Sequence, residues 1–142
     1  MPVLNTLTVH HVGYLVKKKN QAMRAFLGLG YVIAQDWVRD ELRGIDIAFV
    51  TKDGLAVELV CPYRDDSDVS GLITRLKNSP YHICYVSRDL AADAEALRES
   101  GYLPMGGALP APACGGHPVQ FFMHPALGII ELIDKACTFA QE

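Results

Sequence analysis

The sequence has no apolar run approaching the length needed to cross a bilayer, so a helical membrane span is excluded. It has no excess of positive charge. With a net charge of −3, nothing favours a nucleic acid or an anionic membrane as partner. The start, Met1-Pro2-Val3-Leu4-Asn5-Thr6, lacks the basic and apolar regions of a secretory signal. Cysteine is sparse: Cys61, Cys84, Cys114 and Cys137 are widely spaced and form no CxxC. Reduced thiols and a cytoplasmic protein are the expectation. What the chain has in quantity is apolar residues, 50% of its 142, which suits a compact fold with a real core.

The chain reads as one pattern played twice. The run Val9-His10-His11-Val12-Gly13-Tyr14-Leu15-Val16 returns as Tyr81-His82-Ile83-Cys84-Tyr85-Val86. Each run is followed by a polar segment of helical periodicity, a Gly-Tyr or similar break, and short strand-like runs. Each half closes on a glutamate inside an apolar run: Ala56-Val57-Glu58-Leu59-Val60, then Ile129-Ile130-Glu131-Leu132-Ile133. The separation from His11 to Glu58 nearly equals that from His82 to Glu131.

Local chemistry gives the elements. Residues 8–16 read as a strand, with Val9, His11, Gly13 and Leu15 on one face. A helix over 18–28 turns Ala22, Phe26 and Leu29 inward. Strands follow at 31–38, 44–51 and 55–60, the last two joined by the turn Lys52-Asp53-Gly54. Residues 63–68 are a polar linker, and a short helix over 69–77 lines Val69, Leu72, Ile73 and Leu76 on one face. The second module has a strand at 81–87 and a helix at 89–100 with Leu90, Ala94 and Leu97 inward. Three strands follow, at 102–107, 118–123 and 128–134. The Gly-, Pro- and Ala-rich stretch 108–118 reads as a substrate-facing loop. The expected organisation is one domain over 1–142, with modules at 8–62 and 80–134, ending in a short tail from Lys135 to Glu142.

Four residues carry the chemistry: His11, Glu58, His82 and Glu131. The two glutamates share faces with apolar neighbours, and an isolated buried carboxylate is costly. Two of them at matching places are best explained by a shared cation. Imidazole and carboxylate ligands without thiolate suit Zn, Ni, Co, Mn or Fe(II) and argue against a structural zinc site. Such an ion polarises a carbonyl oxygen and acidifies the neighbouring C–H. Glu58 and Glu131 are then both ligands and proton carriers.

The pattern resembles the vicinal oxygen chelate superfamily of glyoxalases, bleomycin-resistance proteins and dioxygenases. Within it the look is to the methylmalonyl-CoA epimerase-like branch. The resemblance rests on His11-Val12-Gly13, Val57-Glu58-Leu59-Val60-Cys61-Pro62, Tyr81-His82-Ile83-Cys84, and Phe122-Met123-His124-Pro125 running into Gly128-Ile129-Ile130-Glu131-Leu132. It implies an α+β fold, paired βαβββ modules forming a cupped, mainly antiparallel eight-stranded sheet around one divalent metal ion, in a homodimer. It implies proton transfer α to a metal-bound carbonyl, of epimerase or isomerase type, on a small acyl thioester such as a CoA thioester.

One departure stands out. The place of the epimerases' second catalytic glutamate falls on Leu42, and Glu41 is one position off, on the other face if the segment is a strand. A glyoxalase I-like lyase is therefore the first alternative, and a non-catalytic small-molecule-binding or resistance protein the second. Arg43, His117 and His124 are expected substrate contacts. Lys17, Lys18 and Lys19 read as a solvated face able to meet phosphate. Trp37 and Phe49 either line the site or pack.

Overall fold

A computed structural model of the chain describes residues 4–137. They form an α+β fold of nine strands and three α-helices. The chain divides into two compact units, one over His11–Tyr81, the other joining the segment that ends at His10 to the segment that begins at His82. The expected tail residues 138–142 lie outside the described residues.

In the first unit the elements are β1 (Thr8–Leu15, begun in the preceding segment), α1 (Lys19–Gly28), β2 (Val32–Asp40), β3 (Ile45–Lys52), β4 (Leu55–Pro62) and α2 (Ser70–Leu76). The strand order is β2-β3-β4-β1, antiparallel except for the parallel pair β4/β1. Alternation dictates the two faces. Val16, Ala48, Val50, Val57, Leu59 and Cys61 form a core with Met23 of α1, and Phe26, Tyr31 and Trp37 pack on it. The helix turns Met23 inward and leaves Leu29 67% exposed, because Leu29 lies past the helix end. Likewise α2 buries Ile73 but leaves Leu76 at the surface. The β3–β4 hairpin closes through Asp53 (φ 53°) and Gly54 (φ 82°), the paired positive angles of a two-residue turn that follows the strand twist.

The second unit holds β5 (Ser79–Ser87, entered from the linker), α3 (Leu90–Glu99), β6 (Leu103–Pro104), β7 (Leu109–Pro110), β8 (Pro118–His124) and β9 (Gly128–Asp134). Its order is β5-β9-β8-β6, with β7 also on β8; β5/β9 is the parallel pair. Helix α3 starts where the Asp89 side chain accepts from the Ala92 N–H at 3.1 Å, satisfying one of the free donors of the first turn. Ala94 and Leu97 of α3 pack on Phe122, Ile130 and Leu132, and Leu4 and Leu7 close over the same cluster. There are nine strands where eight were expected. The stretch 108–118 contributes the two-residue β7 and a single 3-10 turn, Pro112–Cys114, and does not cross as an open loop.

Two local devices fix the edges. Asp46 on β3 sits opposite Arg39 on β2 and takes both its Nε and Nη2 at 2.9 and 3.1 Å, while Lys19 at the start of α1 donates to it at 3.1 Å. Lys19 is thereby committed to the fold. The Arg39 guanidinium also lies 3.8 Å from the centre of the Tyr63 ring. Cys114 and Cys137, both fully buried, are joined as a disulfide across 4.7 Å between Cα atoms. This corrects the expectation of four reduced thiols; residues far apart in sequence meet because Cys137 lies in the turn just after β9, its N–H bonded to the Asp134 carbonyl, and the 3-10 turn carries Cys114 to it.

The Arg39 hydrogen bonds, and after them Lys19, hold the Asp46 carboxyl below its ordinary value against the opposing effect of burial. A depressed folded value means the stabilisation is present above the unfolded pKa and vanishes as pH falls through the folded one. Asp46→Asn should cost about 1–3 kcal/mol at neutral pH, with the gap from wild type closing below about pH 4; urea melts across pH check this. Cys114→Ser should lower stability by about 3 kcal/mol under oxidising conditions, from the freed loop entropy. In excess reductant the two proteins should melt alike.

Candidate active site

Parallel pairing builds the site in each unit by the same rule. In the first, Gly13 of β1 lies opposite Glu58 of β4. His11 is two residues before Gly13, so it shares that face and meets the glutamate diagonally. In the second, Cys84 of β5 lies opposite Glu131 of β9, and His82 is two residues before Cys84. The sequence repeat is thus a register repeat.

Both pairs are buried: His11 0%, Glu58 4%, His82 3% and Glu131 3% exposed. His11 Nε2 stands 3.6 Å from Glu58 Oε1, outside ordinary hydrogen-bond range, and His82 Nε2 stands 3.1 Å from Glu131 Oε1. Each imidazole is met edge-on by a phenylalanine from the antiparallel neighbour of the glutamate strand. Phe49, opposite Glu58, lies 5.1 Å from His11; Phe121, opposite Glu131, lies 5.3 Å from His82. These rings fix the imidazole planes and keep the pairs dry. Phe49 was expected either to line the site or to pack. Phe121 was missed, although its place before Phe122-Met123-His124 mirrors the run containing Phe49.

The donor set fits a divalent ion. Two buried imidazoles and two buried carboxylates, each pair holding Nε2 toward a carboxylate oxygen, offer the hard and borderline ligands such an ion prefers. They also offer two carboxylates whose low-dielectric surroundings strengthen any charge they meet.

The expected substrate contacts are Arg43, His117 and His124. Arg43 is 7% exposed and gives its Nη1 to Asp40 at 2.8 Å, while Asp40 also takes the Arg43 backbone N–H. Its guanidinium is held by Asp40 at the β2–β3 turn. His117 is exposed beside the 3-10 turn, where its carbonyl accepts from Ala111. His124 uses Nδ1 to accept from the Ala126 N–H and lies against Tyr102, with ring centres 4.6 Å apart. Residues 41–44 form a turn between β2 and β3, so strand alternation does not decide where Glu41 points; Glu41 and Leu42 are both exposed.

A βαβββ module repeated with one extra short strand in its second copy, with one buried histidine and one buried glutamate on its parallel strand pair each time, defines a class of internally duplicated α+β proteins. The chain belongs to the Glyoxalase/Bleomycin resistance protein/Dioxygenase superfamily, whose family model matches residues 10–121. It is 31% identical over 86 residues to the ethylmalonyl-CoA/methylmalonyl-CoA epimerase of Cereibacter sphaeroides; that match covers 58% of this chain and 61% of the relative. The fold is that of the methylmalonyl-CoA epimerase from Mycobacterium tuberculosis, at TM-score 0.80 and 21% identity, covering 100% of this chain and 97% of the other. A variant of the Streptomyces coelicolor methylmalonyl-CoA epimerase in complex with 2-nitronate-propionyl-CoA is similar at TM-score 0.74 and 23% identity, covering 90% of this chain and 97% of that one.

Proposed function

We propose that the protein is a divalent-metal-dependent enzyme that moves a proton α to the carbonyl of a small acyl thioester, in an epimerase or isomerase reaction. The observation that carries this reading is the buried imidazole–carboxylate pair built identically in both modules. In this reading His11 and Glu58 of one module and His82 and Glu131 of the other supply the ligands of one ion. When bound, the ion supplies Lewis acidity to a carbonyl oxygen and so lowers the pKa of the neighbouring C–H.

The chain's own residues do the rest. The imidazoles anchor and orient the carboxylates. Glu58 and Glu131, one from each module, are the two groups able to accept and return a proton. Two bases suit inversion of a stereocentre, in which one face loses the proton and the other regains it. The relatives named as CoA-thioester epimerases support this substrate class. Leu42, at the place where the family resemblance puts a further glutamate, favours as second reading a glyoxalase-like lyase that works with the two ligand carboxylates alone. Function as a homodimer completes the proposal.

Elemental mass spectrometry of the untagged protein should find about one divalent ion per chain, and Glu131→Gln should weaken its retention. No ion in either, after reconstitution with Zn, Ni, Co or Mn, sinks the metal reading. In deuterated water the metal-loaded protein should label the α position of a branched acyl-CoA, and Glu58→Gln or Glu131→Gln should slow this by about a hundredfold or more. Absence of label across a panel of acyl-CoA thioesters leaves the lyase or a binder.

A further inference from the structure

The carboxamide of Gln35 is a polar group on the site face that the proposed chemistry does not use. Its Oε1 is buried and, among the described residues, meets no hydrogen-bond donor. Burying such an atom without a partner is costly, so a position that keeps one calls for a reason.

The register shows how the chain puts it there. Ile33 lies opposite Val50, and an unbroken ladder would next set Ala34 opposite Phe49. The ladder shifts between Ile33 and Gln35, and Gln35 takes that place. It shifts again between Gln35 and Val38, before regular pairing resumes to Asp40. Two irregularities flank one residue, and bulges commonly re-aim side chains next to sites. Phe49 in turn lies opposite Glu58. Gln35, Phe49 and Glu58 therefore form one row across three strands, on the face that carries His11. Across two strand spacings, Gln35 is about 10 Å from Glu58.

We infer that Gln35 is a specificity-determining residue whose Oε1 accepts a hydrogen bond from an amide N–H in the thiol arm of the substrate. This rests on the proposed thioester chemistry. With the reacting carbonyl at the His11–Glu58 pair, the row offers an apolar ring next and an acceptor beyond it. A CoA-type thioester presents the matching order: carbonyl, sulfur, two methylenes, then an amide N–H. A simple alkyl thioester presents only the first part.

The test compares two thioesters of one acyl group, an N-acetylcysteamine thioester, which carries the amide, and an S-propyl thioester, which does not. Deuterium exchange gives kcat/KM for wild type, Gln35→Leu and Gln35→Glu, with thermal melts confirming folding. Gln35→Leu should lose about tenfold on the amide substrate, mainly in KM, and be unchanged on the S-propyl one. Gln35→Glu, which keeps an acceptor, should stay within about threefold of wild type on the amide substrate. Equal losses on both substrates, no loss on either, or a Glu variant worse than the Leu variant would overturn the assignment. If wild type exchanges neither thioester, the proposed reaction has failed on its own account. Calorimetric affinity for the amide thioester then decides: weaker binding by Gln35→Leu upholds the role of Gln35, and equal binding ends it.

Discussion

Burial of carboxylates is the constraint on which the rest depends. Glu58 and Glu131 each sit in the middle of an apolar strand, where an uncompensated charge would protonate or unfold its surroundings. Each module meets this with the same device. A parallel strand pair sets an imidazole diagonally across from the carboxylate, and an antiparallel neighbour brings a phenylalanine edge against the imidazole. Strand order follows from it. The glutamate strand must lie between the histidine strand and the phenylalanine strand, which is the order β1-β4-β3 in one unit and β5-β9-β8 in the other.

The two modules share this frame and differ at its margins. In the first, β2 is a full strand whose register breaks twice and delivers Gln35 into the row of Phe49 and Glu58. In the second, the corresponding margin is two short strands, β6 and β7, with Met105 giving its N–H to the Phe121 carbonyl. The inner frame fixes the reactive groups, whereas the margins are free to differ because they carry no ionised ligand.

Much of this was legible in the sequence because strand alternation and glycine chemistry are local. The duplicated His–Glu pattern, the Asp53–Gly54 turn and the inward positions of α3 follow from spacing alone. What escaped depends on partners far along the chain. The disulfide needs the 3-10 turn to meet Cys137, three residues past the end of β9. The neutralisation of Arg43 needs the turn that places it on Asp40. The role of Gln35 needs a bulge, and a bulge breaks the period from which faces are read. Glu41 and Leu42 escaped for a related reason: period two was applied to residues that form a turn.

The buried charges also divide by purpose. Asp46 and Asp40 are each matched by guanidinium groups within hydrogen-bond distance, so their charge is spent inside the fold. Glu58 and Glu131 face imidazoles instead, which are neutral unless protonated and cannot cancel a full charge by themselves. A fold that can place arginine against Asp40 and Asp46 could have done the same for the glutamates. Histidine there gives up fixed neutralisation in exchange for a ligand with an accessible lone pair, and that choice is intelligible where a cation is meant to complete the charge balance. The same reasoning accounts for Arg43, whose guanidinium meets Asp40 at the β2–β3 turn. A residue already paired on the inside stabilises the turn that holds it.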